Sequence, residues 1–477
     1  MHINISFLRF GRQFMHDVII IGAGTAGISA YNKAIKHTQN ILIINDGPWD
    51  TTCARVGCMP SKLLISSANR MHDIQSANNL ALQYDAVVDT SGVMQRVHIL
   101  RERFIRATLK GVDQWETSHK VSGHAKFIDA HTVEVNGQSY QAKSFIVAVG
   151  SRPNIDETLK QKLKDKFITS NEIFEFSQLP KSLAVIGSGI IAIELAQAMQ
   201  RLGVQTTMFA RSQKVGALTS PILQKLAQEQ FSKELNIKFK TLPDEIEIQA
   251  DKIKINFTEN DQTKSIEVEY VLGATGRQSN IDRLGLDQLN SIFKDIKNLP
   301  IDKKTKQLAN LPIFIVGDAA PDAPIQHEAA HAGKQVVYNC VNYPNVKPIT
   351  ALTPLAIVFC HPEMAIVGKS FKQLEDQQVN FIRGFVSYEN QGRALVLAEN
   401  TGGVEVYIDK NSGKLLGAEL FCSQAEHLAH LLAWMIDADQ DIHQILKKPF
   451  YHPTLEEGLR TAFKHARRQF DALQEKS

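Results

Sequence analysis

Continuous apolar runs open the chain. Val18-Ile19-Ile20-Ile21 has no polar alternation, as a strand buried on both faces requires, and Gly22-Ala23-Gly24-Thr25-Ala26-Gly27 follows at once. A helical pattern then runs to about Lys36, and Ile41-Leu42-Ile43-Ile44 closes a strand-helix-strand unit. The order returns with strand Leu183-Ala184-Val185-Ile186, turn Gly187-Ser188-Gly189-Ile190-Ile191-Ala192, a helix ended by Gly203, and a strand from Val204 to Phe209. Between the two units a helical pattern spans about Met71 to Trp115. Short strands with turn signals follow it, and they end at Phe145-Ile146-Val147-Ala148-Val149-Gly150, with Pro153 marking a chain crossing. A strand near Tyr270 leads into Gly276-Arg277, and Ile313-Phe314-Ile315-Val316 ends in Gly317-Asp318. After Asn345 the pattern predicts strands (Leu355 to Phe359, Ala394 to Ala398, Val404 to Ile408, Leu415 to Leu420) and helices (around Leu428 to Ile436 and Glu456 to Ala466), an α+β arrangement.

These elements predict an α/β protein with two Rossmann-like dinucleotide-binding domains and a C-terminal α+β domain. The expected boundaries are 1–14 for a dispensable extension, 15–152 and 273–345 for the two parts of the first nucleotide domain, 153–272 for the second, and 346–477 for the last. A GxGxxG turn between a strand and a helix lets backbone N–H groups approach a pyrophosphate at the helix start. Two such turns, at Gly22, Gly24 and Gly27 and at Gly187 and Gly189, point to two bound dinucleotides.

The stretch Cys53-Ala54-Arg55-Val56-Gly57-Cys58-Met59-Pro60-Ser61-Lys62 places two thiols five residues apart. In a continuous α-helix their Cα atoms would stand about 8.7 Å apart, whereas a disulfide needs roughly 4.4 to 6.8 Å. A redox pair therefore requires a break, which Gly57 followed by Pro60 would supply. A thiol at a helix start near Lys62 favours thiolate. Packing thiols and a structural bridge are the alternatives; a four-thiolate zinc site would want a second close pair, and Cys340, Cys360 and Cys422 are scattered.

Composition narrows the partners. With 53 basic and 50 acidic residues among 477, the formal charge of +3 gives no electrostatic case for nucleic acid. Five cysteines do not make a secreted disulfide framework, and no apolar run nears the roughly 18 residues of a membrane span. The expectation is a cytoplasmic protein acting on small molecules or proteins. Met15 is read as the functional start, because it runs directly into the first strand.

The motifs together, with Glu194, Pro362-Glu363, Val367-Gly368 and His452-Pro453-Thr454-x-x-Glu457, resemble the pyridine nucleotide-disulfide oxidoreductases over nearly all of Met15 to Ser477, and dihydrolipoamide dehydrogenases most of all. The resemblance implies FAD on the first unit, NAD or NADP on the second, and a two-fold homodimer. It implies that Cys53 exchanges with substrate, that Cys58 and Lys62 lie by the flavin, and that Glu194 pairs with Lys62. It places Asp318 on the ribityl chain and makes His452, oriented by Glu457, the acid-base residue given to the other subunit. Gly150 and Gly276 fall at the family's cofactor-contacting crossings.

Three departures stand out. Asn45 replaces the acidic residue expected at the FAD ribose, and Arg55 replaces an asparagine between the thiols. Ala210, followed by Arg211 and Lys214, replaces the acid that would select NAD, so the sequence leans towards NADP. His327-Glu328-Ala329-Ala330-His331 matches a zinc-protease pattern but is read as a flavin-side helix, without metal. The leading expectation is dihydrolipoamide oxidation by NAD(P)⁺. The alternatives are NADPH-dependent reduction of another disulfide, in the manner of glutathione or mercuric reductases, or a flavin-bearing structural subunit.

Overall fold

The computed structural model describes residues 15–83, 85–320 and 325–475; the extension 1–14 lies outside them. The chain forms two compact units, one made of residues up to Arg55 with Glu102–Arg152 and Arg277–Ala351, the other of Val56–Arg101, Pro153–Gly276 and the chain from Leu352 onward.

The first unit is built on one sheet. Strands Lys120–Ser122, Ile41–Asn45, Met15–Ile21 and Gln138–Val147 lie side by side in parallel, Ile313–Ile315 pairs in parallel with the last of them, and two antiparallel strands extend it. Residues alternate between two cores. Val18, Ile20, Ile41 and Ile43 pack under helix α1 (Thr25–Ala34) and the helix Gln326–Val341, while Ile19, Ile21, Leu42 and Ile44 pack with Phe127 and Phe145 on the other face. Both faces being covered is why these strands read as unbroken apolar runs.

The second unit holds a five-stranded parallel sheet, Asn236–Phe239, Gln205–Ala210, Ser182–Ile186, Tyr270–Gly273 and Phe167–Ile168, beside an antiparallel hairpin sheet over 245–268. Its longer helices include α2 (Cys58–Ser76), α3 (Ile190–Arg201), α4 (Pro221–Glu234), α5 (Ala425–Asp437) and α6 (Glu456–Gln474). A second, antiparallel five-stranded sheet, in the order 355–358, 363–368, 415–422, 403–409, 381–387, carries α5 and α6 over its core. Glu419 on this sheet is fully buried, yet its carboxylate accepts from the N–H groups of Thr219 (2.6 Å), Ser220 (2.9 Å) and Phe371 (2.8 Å) and from the Thr219 hydroxyl. A buried carboxylate so fully satisfied ties the start of α4 to the sheet.

Two readings of the pattern are corrected. Ala394 to Ala398 is not a strand: the segment Gly392–Leu397 is a short helix, capped by the Gln391 side chain on the Ala394 N–H and ended by Ala398 in the left-handed region. Local capping outweighed an apolar run that suits either structure. The helical stretch from Met71 to Trp115 is two helices, α2 and Thr90–Val112, with a 3-10 turn at Ala77–Leu80 that ends at left-handed Ala81. The strands Glu363–Gly368 and Phe381–Ser387 were not read from the pattern.

Glu363 gives a test of this packing. Its carboxylate accepts the Glu426 N–H at the start of α5, and burial pushes its pKa up from 4.5 to about 7. The folded chain thus holds this proton more tightly than the unfolded one, so the group's cost to stability grows as pH rises from about 4.5 to about 7. Glu363→Gln stays neutral and keeps the acceptor. It is expected to gain about 1 to 2 kcal/mol over the parent at pH 8 and almost nothing at pH 4, allowing for partial exposure. Urea midpoints of both proteins at the two pH values check this; an equal difference at both would refute it.

Candidate functional site

The two glycine-rich turns are built alike. Gly22 has φ +102° and Gly187 φ +129°, and a Cβ on either would strike a carbonyl of the neighbouring strand end, Ala148 or Ala274. Over Gly24 and Gly189, by contrast, a Cβ would meet nothing within 4 Å. Both are N-cap residues of helices, α1 and α3, with no side-chain cap and no acidic residue in the first turn. An uncapped helix start over open space is a fit for a pyrophosphate, so both turns suit a dinucleotide.

Around the first turn, Asn45 is a brace. Its Oδ1 accepts the Ala23 N–H (2.9 Å) and its Nδ2 donates to the carbonyls of Gly47 (3.0 Å) and Pro48 (2.9 Å). Both amide donors are thereby committed within the loop, and only acceptor capacity on Oδ1 is left for a hydroxyl. Asp318 follows the strand Ile313–Ile315 and accepts from Ser151 Oγ (3.1 Å); the same serine holds Arg277 through its Oγ (2.9 Å) and carbonyl (2.6 Å). Gly150 takes φ +68° and accepts the Asn280 N–H at 3.0 Å. Gly276, at φ +114°, accepts the Asn154 N–H at 2.9 Å.

At the second turn Ala192 is fully buried, and Ala210 ends its strand fully buried. Ser188 Oγ donates to the Lys214 carbonyl (2.7 Å) and the Ser188 carbonyl accepts the Gly216 N–H (2.8 Å), which brings the segment with exposed Arg211 and Lys214 beside the turn.

The thiol segment is broken where the spacing requires. Cys53 lies in a one-turn helix, Thr52–Arg55, and Cys58 begins α2 after Gly57, so the two are not on one continuous helix. Cys58 is the first residue of a 19-residue helix, where the dipole favours thiolate, and Pro60 sits in that first turn, where a missing N–H costs nothing. Cys58 is exposed and Cys53 half-buried. One turn on, Lys62 Nζ lies 2.8 Å from Glu194 Oε2 and 4.7 Å from the centre of the Phe359 ring. Glu194 is buried, and its other oxygen accepts the Phe359 N–H (2.8 Å). Arg55 is balanced by buried Asp50 at 2.9 Å, so the cation between the thiols is partly neutralised.

His452 is 81% exposed in side chain, and its Nδ1 lies 3.0 Å from Glu457 Oε2. Glu457 is held below the usual carboxylate range by the Thr454 N–H and then by His452. With Nδ1 committed, Nε2 faces outward. His331 of the zinc-protease pattern donates from Nε2 to the Thr350 carbonyl (2.7 Å), and His327 is exposed; among the described residues no group of three or more His, Cys, Asp or Glu could hold a metal ion. Nor is any described helix long and apolar enough to cross a membrane.

Sequence reasoning missed Asp50, Phe359, Gln197 and Arg201. The last two were within reach, since they follow Glu194 by three and seven residues on one helical face. Phe359 was not, because its backbone N–H is what matters.

Comparison with known proteins agrees with this construction. The family description "pyridine nucleotide-disulphide oxidoreductase" matches residues 16–335, and that family's dimerisation domain matches residues 355–463. The dihydrolipoyl dehydrogenase of Geobacillus stearothermophilus is 28% identical over 92% of this chain and 94% of its own. The mercuric reductase of Lysinibacillus sphaericus is 27% identical over 94% of this chain and 82% of its own. Among solved structures, LpdA from Mycobacterium tuberculosis superposes with a TM-score of 0.77 at 20% identity, covering 95% of this chain and 99% of that one. The HOCl-induced flavoprotein disulfide reductase RclA from Escherichia coli gives 0.75 at 18%, covering 94% and 99%. The chain therefore belongs to the pyridine nucleotide-disulphide oxidoreductases, enzymes that use FAD with NAD(P)H.

Proposed function

We propose that the protein is a dithiol/disulfide oxidoreductase acting through Cys53 and Cys58, with dihydrolipoamide as the small substrate and NAD(P)⁺ as its partner. The observation that carries this reading is the helix break at Val56-Gly57, which starts α2 at Cys58 and frees the thiols from the spacing of one helix. Gly22, Gly24, Gly27, Asn45, Gly150 and Asp318 would hold FAD; Gly187, Gly189, Arg211 and Gly276 would serve the nicotinamide dinucleotide. Bound FAD would supply a two-electron carrier between the thiol pair and the nicotinamide.

The side chains then have distinct tasks. With the pair oxidised, one thiolate of the substrate attacks the half-buried Cys53 sulfur of the Cys53–Cys58 disulfide and releases Cys58 as thiolate; the second substrate thiol then displaces Cys53, leaving the substrate as its disulfide and the pair as two thiols. Lys62, fixed by Glu194, keeps a positive charge one turn from Cys58. His452 takes the proton of the incoming thiol at Nε2, and Glu457 fixes the ring through Nδ1. The exposure of His452 and of neighbouring Tyr451, within the stretch matched by the dimerisation domain, supports a homodimer in which each His452 serves the other subunit's thiols.

A second reading has its own support: exposed Arg211 and Lys214 beside the second turn suit a 2′-phosphate, which favours an NADPH-dependent reductase of another disulfide.

Dihydrolipoamide-driven reduction of NAD⁺ and NADP⁺ by the purified protein tests both. Turnover is expected with a preference for NADP⁺, and Arg211→Ala should lower kcat/KM for NADP⁺ by about tenfold or more with a much smaller effect on NAD⁺. No reduction of either nucleotide would sink the lipoamide assignment, and a preference for NAD⁺ untouched by Arg211→Ala would sink the role of Arg211.

Glu457→Gln should reduce kcat by roughly tenfold to a hundredfold, because the carboxylate that fixes the imidazole through Nδ1 is gone. An unchanged kcat would remove His452 and Glu457 from the reaction.

A further inference from the structure

Helices α2 and α3 touch at two places two turns apart. Lys62 meets Glu194 at 2.8 Å, and seven residues further along each helix Asn69 Oδ1 accepts from Arg201 Nη1 at 2.8 Å. The helices therefore run side by side in the same direction, pinned about 10.5 Å apart along their length. The second pin is built deep. The Arg201 side chain is 2% exposed, its charge is met by Glu234 through Nε (2.5 Å) and Nη2 (3.1 Å), and Nη2 also reaches the His361 carbonyl (3.3 Å). Burying a guanidinium is costly unless every donor is placed, and here acceptors come from three stretches of chain, α2, α4 and the segment at His361.

The same face of α3 also holds the segment Phe359 to His361. Glu194 takes the Phe359 N–H, and Gln197 takes the His361 N–H (2.7 Å) while donating to the His361 carbonyl (2.7 Å). The Phe359 ring thus held is the one that faces the Lys62 ammonium. The His361 ring packs 5.0 Å from that of His72 on α2, and burial, with Arg201 and His72 nearby, keeps it neutral, its pKa lowered to about 3.

We propose that Arg201 is a positioning residue for Lys62: by fixing α2 against α3, and the Phe359–His361 segment against both, it holds Glu194 and the Phe359 ring where they grip the ammonium. The importance of that grip for turnover rests on the function proposed above; the grip itself does not.

The test is the rate at which limiting acetic anhydride acetylates Lys62 in the holoenzyme, read by peptide mass spectrometry well below the unfolding midpoint. Arg201→Gln is expected to raise that rate about fivefold, with exposed Lys225 and Lys252 unchanged as internal references. Arg201→Lys should restore most of the protection. In a Glu194→Gln background, where the grip is already lost, Arg201→Gln should add less than about twofold. Asn69→Ala, which removes the pin but leaves Arg201 with Glu234, should act in the same direction and serves where Arg201→Gln does not fold. Turnover is expected to fall with the same non-additivity. A Lys62 rate within about twofold of the parent, or effects that simply add in the Glu194→Gln background, would overturn the proposal and leave Arg201 a stabilising residue. Absence of lipoamide turnover in the parent would instead overturn the function, with the acetylation result still deciding the positioning role.

Discussion

A carboxylate in the interior is costly unless both oxygens are met, and Glu194 shows what that requirement organises. One oxygen takes the Lys62 ammonium and the other the Phe359 N–H. Three stretches of chain, the helix starting at Cys58, the helix following the second glycine-rich turn, and the loop before Glu363, are brought to one atom group. Displacing any of the three leaves a buried charge or a buried donor unpaired. The end of α2 that carries Cys58 is placed by this demand.

The sheets set up the sites from the other direction. Strands covered on both faces have no polar residues to spare, so polar work falls to the loops at their ends. At each parallel sheet the first loop is a tight glycine turn whose backbone runs against a neighbouring strand end, and the helix that follows begins uncapped. Close packing and an open helix start are served by the same few residues: bulk at Gly22 or Gly187 would separate strand from strand, while a Cβ at Gly24 or Gly189 would meet nothing.

Much of this was legible. The apolar runs located the parallel strands because burial on both faces leaves no alternative pattern, and the five-residue spacing of Cys53 and Cys58 demanded the break that is found at Gly57. Pairing of Lys62 with Glu194 came from the resemblance and is seen at 2.8 Å. What stayed hidden depended on atoms that composition does not display. The N–H of Phe359 acts through its backbone, and Asp50, which balances Arg55, is one acid among fifty. The segment Gly392–Leu397 was misread because five apolar residues satisfy either period, and a single glutamine cap decided the matter.

Asn45 has a consequence of a different kind. An acid at that place would change its hydrogen-bonding character on gaining a proton, giving up an acceptor as the medium turned mildly acidic. A carboxamide has no proton to gain there, so the contacts of Asn45 to Ala23, Gly47 and Pro48 are the same at pH 4 as at pH 8. The mouth of the first nucleotide fold is thereby held by a strut that acidity cannot loosen.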